Sequence, residues 1–169
     1  MTLSMYQASI PVFLRALENL RGILHKAQAH AAAKKIDPSV LLSSRLFPDM
    51  HPLTRQVQIV SDTAKFCASR LASIEPPKFP DVETTFDELD ARIDKTIAFL
   101  KEVAPAQIDG SEERTITLTF PSGSMEMNGM AYLLNLAVPN FYFHVTTAYA
   151  ILRHNGVEIG KFDYLGRWE

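Results

Sequence analysis

Apolar side chains recur at helical spacing over most of this chain, change once to strict alternation, and resume helical spacing before a short C-terminal tail. Tyr6, Ile10, Phe13, Leu14, Leu17, Leu20, Leu24 and Ala27 share one face at about 100° per residue, which predicts a first helix over Met5 to Ala33. Its start has two readings. Ser4 with Gln7 has capping-box spacing, whereas a start at Ser9 puts Pro11 in the first turn, where its missing N–H costs little. Residues 34–48, with Asp37-Pro38 as a turn signal, read as a long connection holding about one turn of helix, able to cross the end of a bundle. Asp49 is expected to cap a second helix with Pro52 in its first turn and Met50, Leu53, Val57, Val60, Ala64, Cys67 and Leu71 facing inward. That helix ends before Glu75-Pro76-Pro77. A third helix starts between Asp81 and Thr85, with Thr85 and Glu88 spaced as a capping box and Phe86, Leu89, Ile93, Ile97 and Leu100 as its apolar stripe. Its charged residues read as a solvated face.

The period changes to two from Thr115 to Phe120, and alternation returns at Met125 to Met127 after the turn formers Pro121, Ser122 and Gly123. This predicts a small β-hairpin, which needs helices to pack on and would do so through Ile116, Leu118 and Phe120. A fourth helix runs from Asn128 or Gly129 to His154, kinked or divided at Pro139 and stopped by Gly156. It is apolar nearly all round, with Leu134, Phe141, Val145 and Leu152 as a second stripe, so it is either enclosed or shared with another subunit; a homodimer is expected. The tail carries Val157, Ile159, Phe162, Tyr164, Leu165 and Trp168, enough apolar surface to fold back onto the bundle or a partner copy. The fold class expected from the residues is mainly α, a helical bundle with a hairpin inserted before the last helix, in one domain over 1–169.

Composition narrows the function classes without naming one. At 169 residues, with 47% hydrophobic and 21% charged residues and a formal net charge of −2, the chain has no electrostatic feature that calls for nucleic acid or an anionic membrane. No stretch reaches the roughly 18 apolar residues of a membrane span, and the N-terminus lacks the pattern of a secretory signal. A cytoplasmic protein is expected. The single Cys67 reads as a small buried hydrophobe in a reducing compartment. No H-E-x-x-H, G-x-S-x-G, phosphate-binding glycine loop or paired-cysteine knuckle is present.

The chemical lead lies in the fourth helix, in PNFYFHVTTAYAILRHNG. Among five histidines, His25 and His30 fall off the apolar stripe, His51 projects about 160° from the inward direction of the second helix, and His154 occupies a last turn that favours positive charge. His144 alone falls on an interior face, one turn after Asn140, the i, i+4 spacing that brings two side chains together. Gln56 on the second helix lies about 60° from the inward centre and offers a counterpart, whereas Gln58 and Asp62 point away. The plainer reading of Gln56, Asn140 and His144 is a hydrogen-bonded polar core; the sharper one is a metal or ligand pocket.

With the helices placed, RLFPDMHPLTRQVQ, PNFYFHVTTAYAILRHNG and VEIGKFDYLG, together with MYQASIPVFLRALENL, resemble the DinB-like, or YfiT-like, superfamily, in a branch known as a domain of unknown function. The resemblance implies an up-down-down-up four-helix bundle with a long crossover. It further implies, for many members, a divalent metal held by one histidine on helix two and a His-x-x-x-His pair on helix four, used by some to activate a low-molecular-weight thiol. Carried over by position, these ligands fall on Gln56, Asn140 and His144, of which only the last is a histidine. The expectation is therefore a bundle with a degraded metal site, acting as a small-ligand-binding or interaction module, with its cofactor unknown: none, or a divalent metal ion. The alternative is a hydrolase or thiol transferase dependent on Zn, Ni, Fe or Mn, using His144 with Asn140 and Gln56.

Overall fold

The computed structural model describes residues 3–166, so Trp168 lies outside the described residues. Eight helical segments and one hairpin follow in order: α1 (Ile10–Lys34), α2 (Pro38–Ser43), α3 (Leu53–Ala72), α4 (Phe86–Glu102), α5 (Pro105–Ile108), β1 (Thr115–Phe120), β2 (Gly123–Asn128), α6 (Gly129–Tyr132), α7 (Val138–His154) and α8 (Lys161–Leu165), with a π turn at Leu133–Ala137. The four long helices form a bundle in which α3 packs on α4 and α7, and α1 packs on the same two from the opposite side. Because α1 and α3 stand across the bundle, the connection between them must cross its end, and α2 lies in that crossover as expected.

The later start is the one α1 takes, although the Ser4 and Gln7 pairing is also present. Ser4 and Gln7 exchange hydrogen bonds around a turn over residues 5–9, and α1 then starts at Ile10 with Pro11 in its first turn. Asp49, by contrast, does not cap α3. The residue before a proline is driven out of the helical region, so His51 cannot continue a helix into Pro52, and α3 begins at Leu53 instead. Asp49 sits in a turn closed by Met50 N–H on Phe47 O, with Arg45 bridging the carbonyls of Pro48 and Met50. The capping box of Thr85 and Glu88 on α4 is present as expected.

The last long helix is one rod from Gly129 to His154, capped by Asn128 Oδ1 on Ala131 N–H. Pro139 does not interrupt its helical hydrogen bonding with a loop. The wide π turn immediately before it accommodates a residue with no N–H to give and a ring that would crowd the preceding turn. A Schellman closure ends the rod, with Val157 N–H on Leu152 O and Gly156 N–H on Arg153 O, and Gly156 supplies the φ of 87° that closure needs. Of the second apolar stripe, Phe141, Val145 and Leu152 are buried within the chain, Phe141 meeting Phe13 of α1 at 4.8 Å between ring centres, while Leu134 is exposed. The tail folds back onto α1: Val157 and Ile159 are buried, and α8 is tied by Asn19 Nδ2 to Tyr164 O at 3.0 Å and Lys26 to Asp163 at 2.6 Å.

Two further expectations fail, for identifiable reasons. The hairpin, paired from Thr115 with Asn128 to Phe120 with Gly123, packs through Ile116 and Leu118, each 4% exposed, but Phe120 at its tip overshoots the bundle and is 47% exposed. The charged face of α4 is not wholly solvated. The segment from Ser73 to Thr85 runs back over α3 and α4 and covers Arg92, whose side chain is 1% exposed and is met by Asp62, Asp81 and Glu83 at 2.9 to 3.0 Å. Gln58 and Asp62, expected to point away from the inward centre of their helix, meet this covered layer rather than open water: Gln58 donates to Glu83, and Asp62 also takes Lys65. No helix among the described residues is long and apolar enough to cross a membrane.

Candidate functional site

Helical phase on α3 and α7 sets the first polar contact of the core. His144, 9% exposed, brings Nδ1 to 2.6 Å from Gln56 Oε1, across the seam between the two helices. Gln56 Nε2 donates at 2.9 Å to His51 O, a carbonyl freed where the chain enters α3. That second bond fixes the orientation of the amide: with Nε2 engaged, the group facing the imidazole is an oxygen, which only accepts. His144 Nδ1 therefore carries the hydrogen, and the neutral ring keeps its lone pair on Nε2. Burial holds the imidazole below its ordinary pKa, and the nearby charges of His51 and Arg55 act in the same direction. The Phe143 ring stands edge-on to it, with centres 5.1 Å apart.

Asn140 does not join this pair. One turn earlier on α7, its Nδ2 donates at 2.9 Å to Thr63 Oγ1, whose own hydroxyl goes to Ile59 O at 2.7 Å. The sequence brought Gln56 and His144 together correctly, but Asn140 faces two turns further along α3, where Thr63 rather than Gln56 is the neighbour. His51 is exposed, as expected, and enters only through its backbone carbonyl. His25 is also exposed but reaches Asp90 at 2.7 Å. Cys67 is fully buried, and burial pushes its thiol up to about 12, so it is no thiolate near neutral pH.

Asn140 borders a cleft of about 260 Å³ between α3, the π turn and β1. Phe66, Leu136 and Phe120 supply apolar walls, and Arg70, Tyr132 and Asp62 supply polar groups. Arg70 Nη1 donates to Tyr132 Oη at 2.9 Å, and its guanidinium lies 5.2 Å from the centre of the Phe66 ring. Burial pushes the Tyr132 phenol up to about 12, so it stays protonated. The reading of the sequence missed Arg70 and Tyr132. Phe66 and Arg70 are spaced i, i+4, a signal for a guanidinium stacked on a ring that looks, in the sequence alone, like any exposed pair at a helix end.

The donor set at His144 does not fit a tight transition-metal site. Such sites use three or more imidazole, thiolate or carboxylate ligands, and here the pair is one imidazole and one carboxamide, with Asn140 turned elsewhere. Among the described residues no group of three or more His, Cys, Asp or Glu side chains is arranged to hold a metal.

Residues 5–165 match the family described as a domain of unknown function, DUF1993. No curated protein matches the chain. A crystal structure of a DinB family member protein from Shewanella denitrificans is similar over 96% of this chain and 92% of that one, with 43% identity and a TM-score of 0.89. A fold similar to that relative over nearly the whole chain, and a family match over residues 5–165, place the chain in the DUF1993 family, a DinB-like domain of unknown function.

Proposed function

We propose that this protein is a small-ligand-binding module, and that its ligand lies between α3 and the last long helix, on the Asn140 side of the polar core. The observation that carries this reading is the cleft itself: apolar walls with a few polar groups are the usual lining of a small-molecule site, here around a volume of about 260 Å³. The His144 and Gln56 pair then belongs to the fold, since the two are hydrogen-bonded to each other and neither borders this cleft. Fragment mapping by NMR tests it. A set of neutral, cationic and anionic fragments should move the resonances of Thr63, Leu136, Ala137 and Asn140; a set that leaves all four unmoved contradicts the reading.

One observation favours a second reading, that of a metal-dependent hydrolase or thiol transferase. Neutral His144 keeps its Nε2 lone pair while Gln56 orients the ring from the far side, as an outer partner does for a metal-binding histidine. Elemental analysis of tag-free protein separates the two. Less than about a tenth of an equivalent of zinc, nickel, iron or manganese supports the binding module, and near-stoichiometric metal supports the enzyme.

A further inference from the structure

Among the arginines of α3 and α4, Arg55 and Arg92 each meet a carboxylate, whereas among the described residues no acid pairs with Arg70. Its Nη1 is engaged by Tyr132 Oη; no protein acceptor among the described residues takes its Nη2 or Nε. Tyr132 accepts that bond and so keeps its own proton to donate, because burial leaves the phenol un-ionised. Asn140 spends one amide hydrogen on Thr63 and retains the other. Asp62 also borders the cleft, but Lys65 and Arg92 already share its Oδ1. The edge of the cleft therefore carries free hydrogen-bond donors from Arg70, Tyr132 and Asn140, together with one guanidinium charge that lacks a counter-ion.

The rest of the lining sets the shape of what would bring that counter-ion. Phe66 lies under the guanidinium, and Phe120, left 47% exposed at the hairpin tip, borders the same cleft opposite no protein partner that buries it. Large rings left in water at the mouth of a cavity favour a flat apolar occupant. A volume of about 260 Å³ lies just under the range of drug-sized sites, which limits the occupant to about a single ring with a short substituent.

We propose that the cleft binds a small planar carboxylate, with Arg70 taking the carboxylate and Phe66 and Phe120 taking the ring. This rests on the ligand-binding reading above and adds the chemical class of ligand. A guanidinium offers a carboxylate two parallel N–H donors, a geometry that a neutral amide of the same shape cannot match.

The test is a titration of the full chain with benzoate and, separately, with benzamide, followed through the methyl resonances of Leu118, Leu136 and Ala137. Benzoate should move them and bind about tenfold or more tightly than benzamide, and Arg70→Gln should remove that preference while Arg70→Lys keeps part of it. The comparison of the two ligands on the unaltered chain stands even if Arg70→Gln fails to fold. Equal binding of benzamide and benzoate in the cleft overturns the carboxylate assignment and leaves the ligand-binding reading standing. Methyl resonances unmoved by either compound, but moved by other fragments, overturn it equally. Resonances unmoved by any fragment overturn the broader reading as well.

Discussion

His144 and Gln56, 88 residues apart in the chain, close a 2.6 Å hydrogen bond in which the imidazole Nδ1 donates and the amide oxygen accepts. The direction is set from outside the pair, by the second bond from Gln56 Nε2 to His51 O. A histidine fixed in one tautomer by an amide held in one orientation is a positional lock between α3 and α7, the two helices that pack most extensively on each other.

Breaking that lock from either side leaves a buried polar group unmatched. His144→Ala and Gln56→Ala should each cost about 1–3 kcal/mol of unfolding free energy in urea titrations. The double variant should cost less than the sum of the two, because the second substitution removes a group the first had already stranded.

His144 also makes stability depend on pH in a defined direction. Its folded pKa lies below the ordinary 6.5, so above that pH the ring is neutral both folded and unfolded and contributes no slope. As pH falls below 6.5 the unfolded chain takes up the proton first, and stability declines, by no more than about 1.4 kcal/mol per pH unit from this one group, until the folded ring protonates too. Urea midpoints measured from pH 8 to pH 5 should show a decline that is smaller in His144→Gln than in the unaltered protein.

Arg92 should be among the most sensitive charged residues. It holds Asp62, Asp81, Glu83 and Pro80 O from a side chain that is 1% exposed, so Arg92→Ala removes the shared partner of three carboxylates, which keep Lys65, Arg55 and Gln58, and should cost about 1–3 kcal/mol. Early proteolytic cleavage within residues 75–83 of the variant would show that the segment over α4 has been released, and thermal melts would show the loss.

Two residues on the same face of the hairpin should respond differently to the same kind of truncation. Leu118→Ala removes a buried anchor and should cost about 2–5 kcal/mol, while Phe120→Ala should change stability by less than about 0.5 kcal/mol. Equal costs would mean that Phe120 is packed in solution.

Much of this was legible in the residues. Helical spacing placed the four long rods and the switch to alternation placed the hairpin, because both depend on which side chains share a face, a property of local order in the chain. The same geometry carried Gln56 to His144. It failed for Asn140, since the angle of a residue on its own helix says nothing about how far along the facing helix its neighbour lies. It failed for Arg92 because the segment from Ser73 to Thr85 has no period, and only its path over α4 makes a charged face an interior one. Phe120 continues the inward alternation of Ile116 and Leu118, and only the length of β1 relative to the bundle leaves it in water. Pro139 signalled a break, yet one π turn was enough to absorb it.

The central claim is that His144 serves the fold as the partner of Gln56 and not a metal. Long-range proton–nitrogen NMR of its imidazole, recorded at pH 7.5 before and after one equivalent of zinc, tests this most directly. The account predicts the Nδ1–H tautomer in both spectra with the Nε2 resonance unmoved; a stoichiometric, slowly exchanging shift of Nε2 on adding zinc would contradict it.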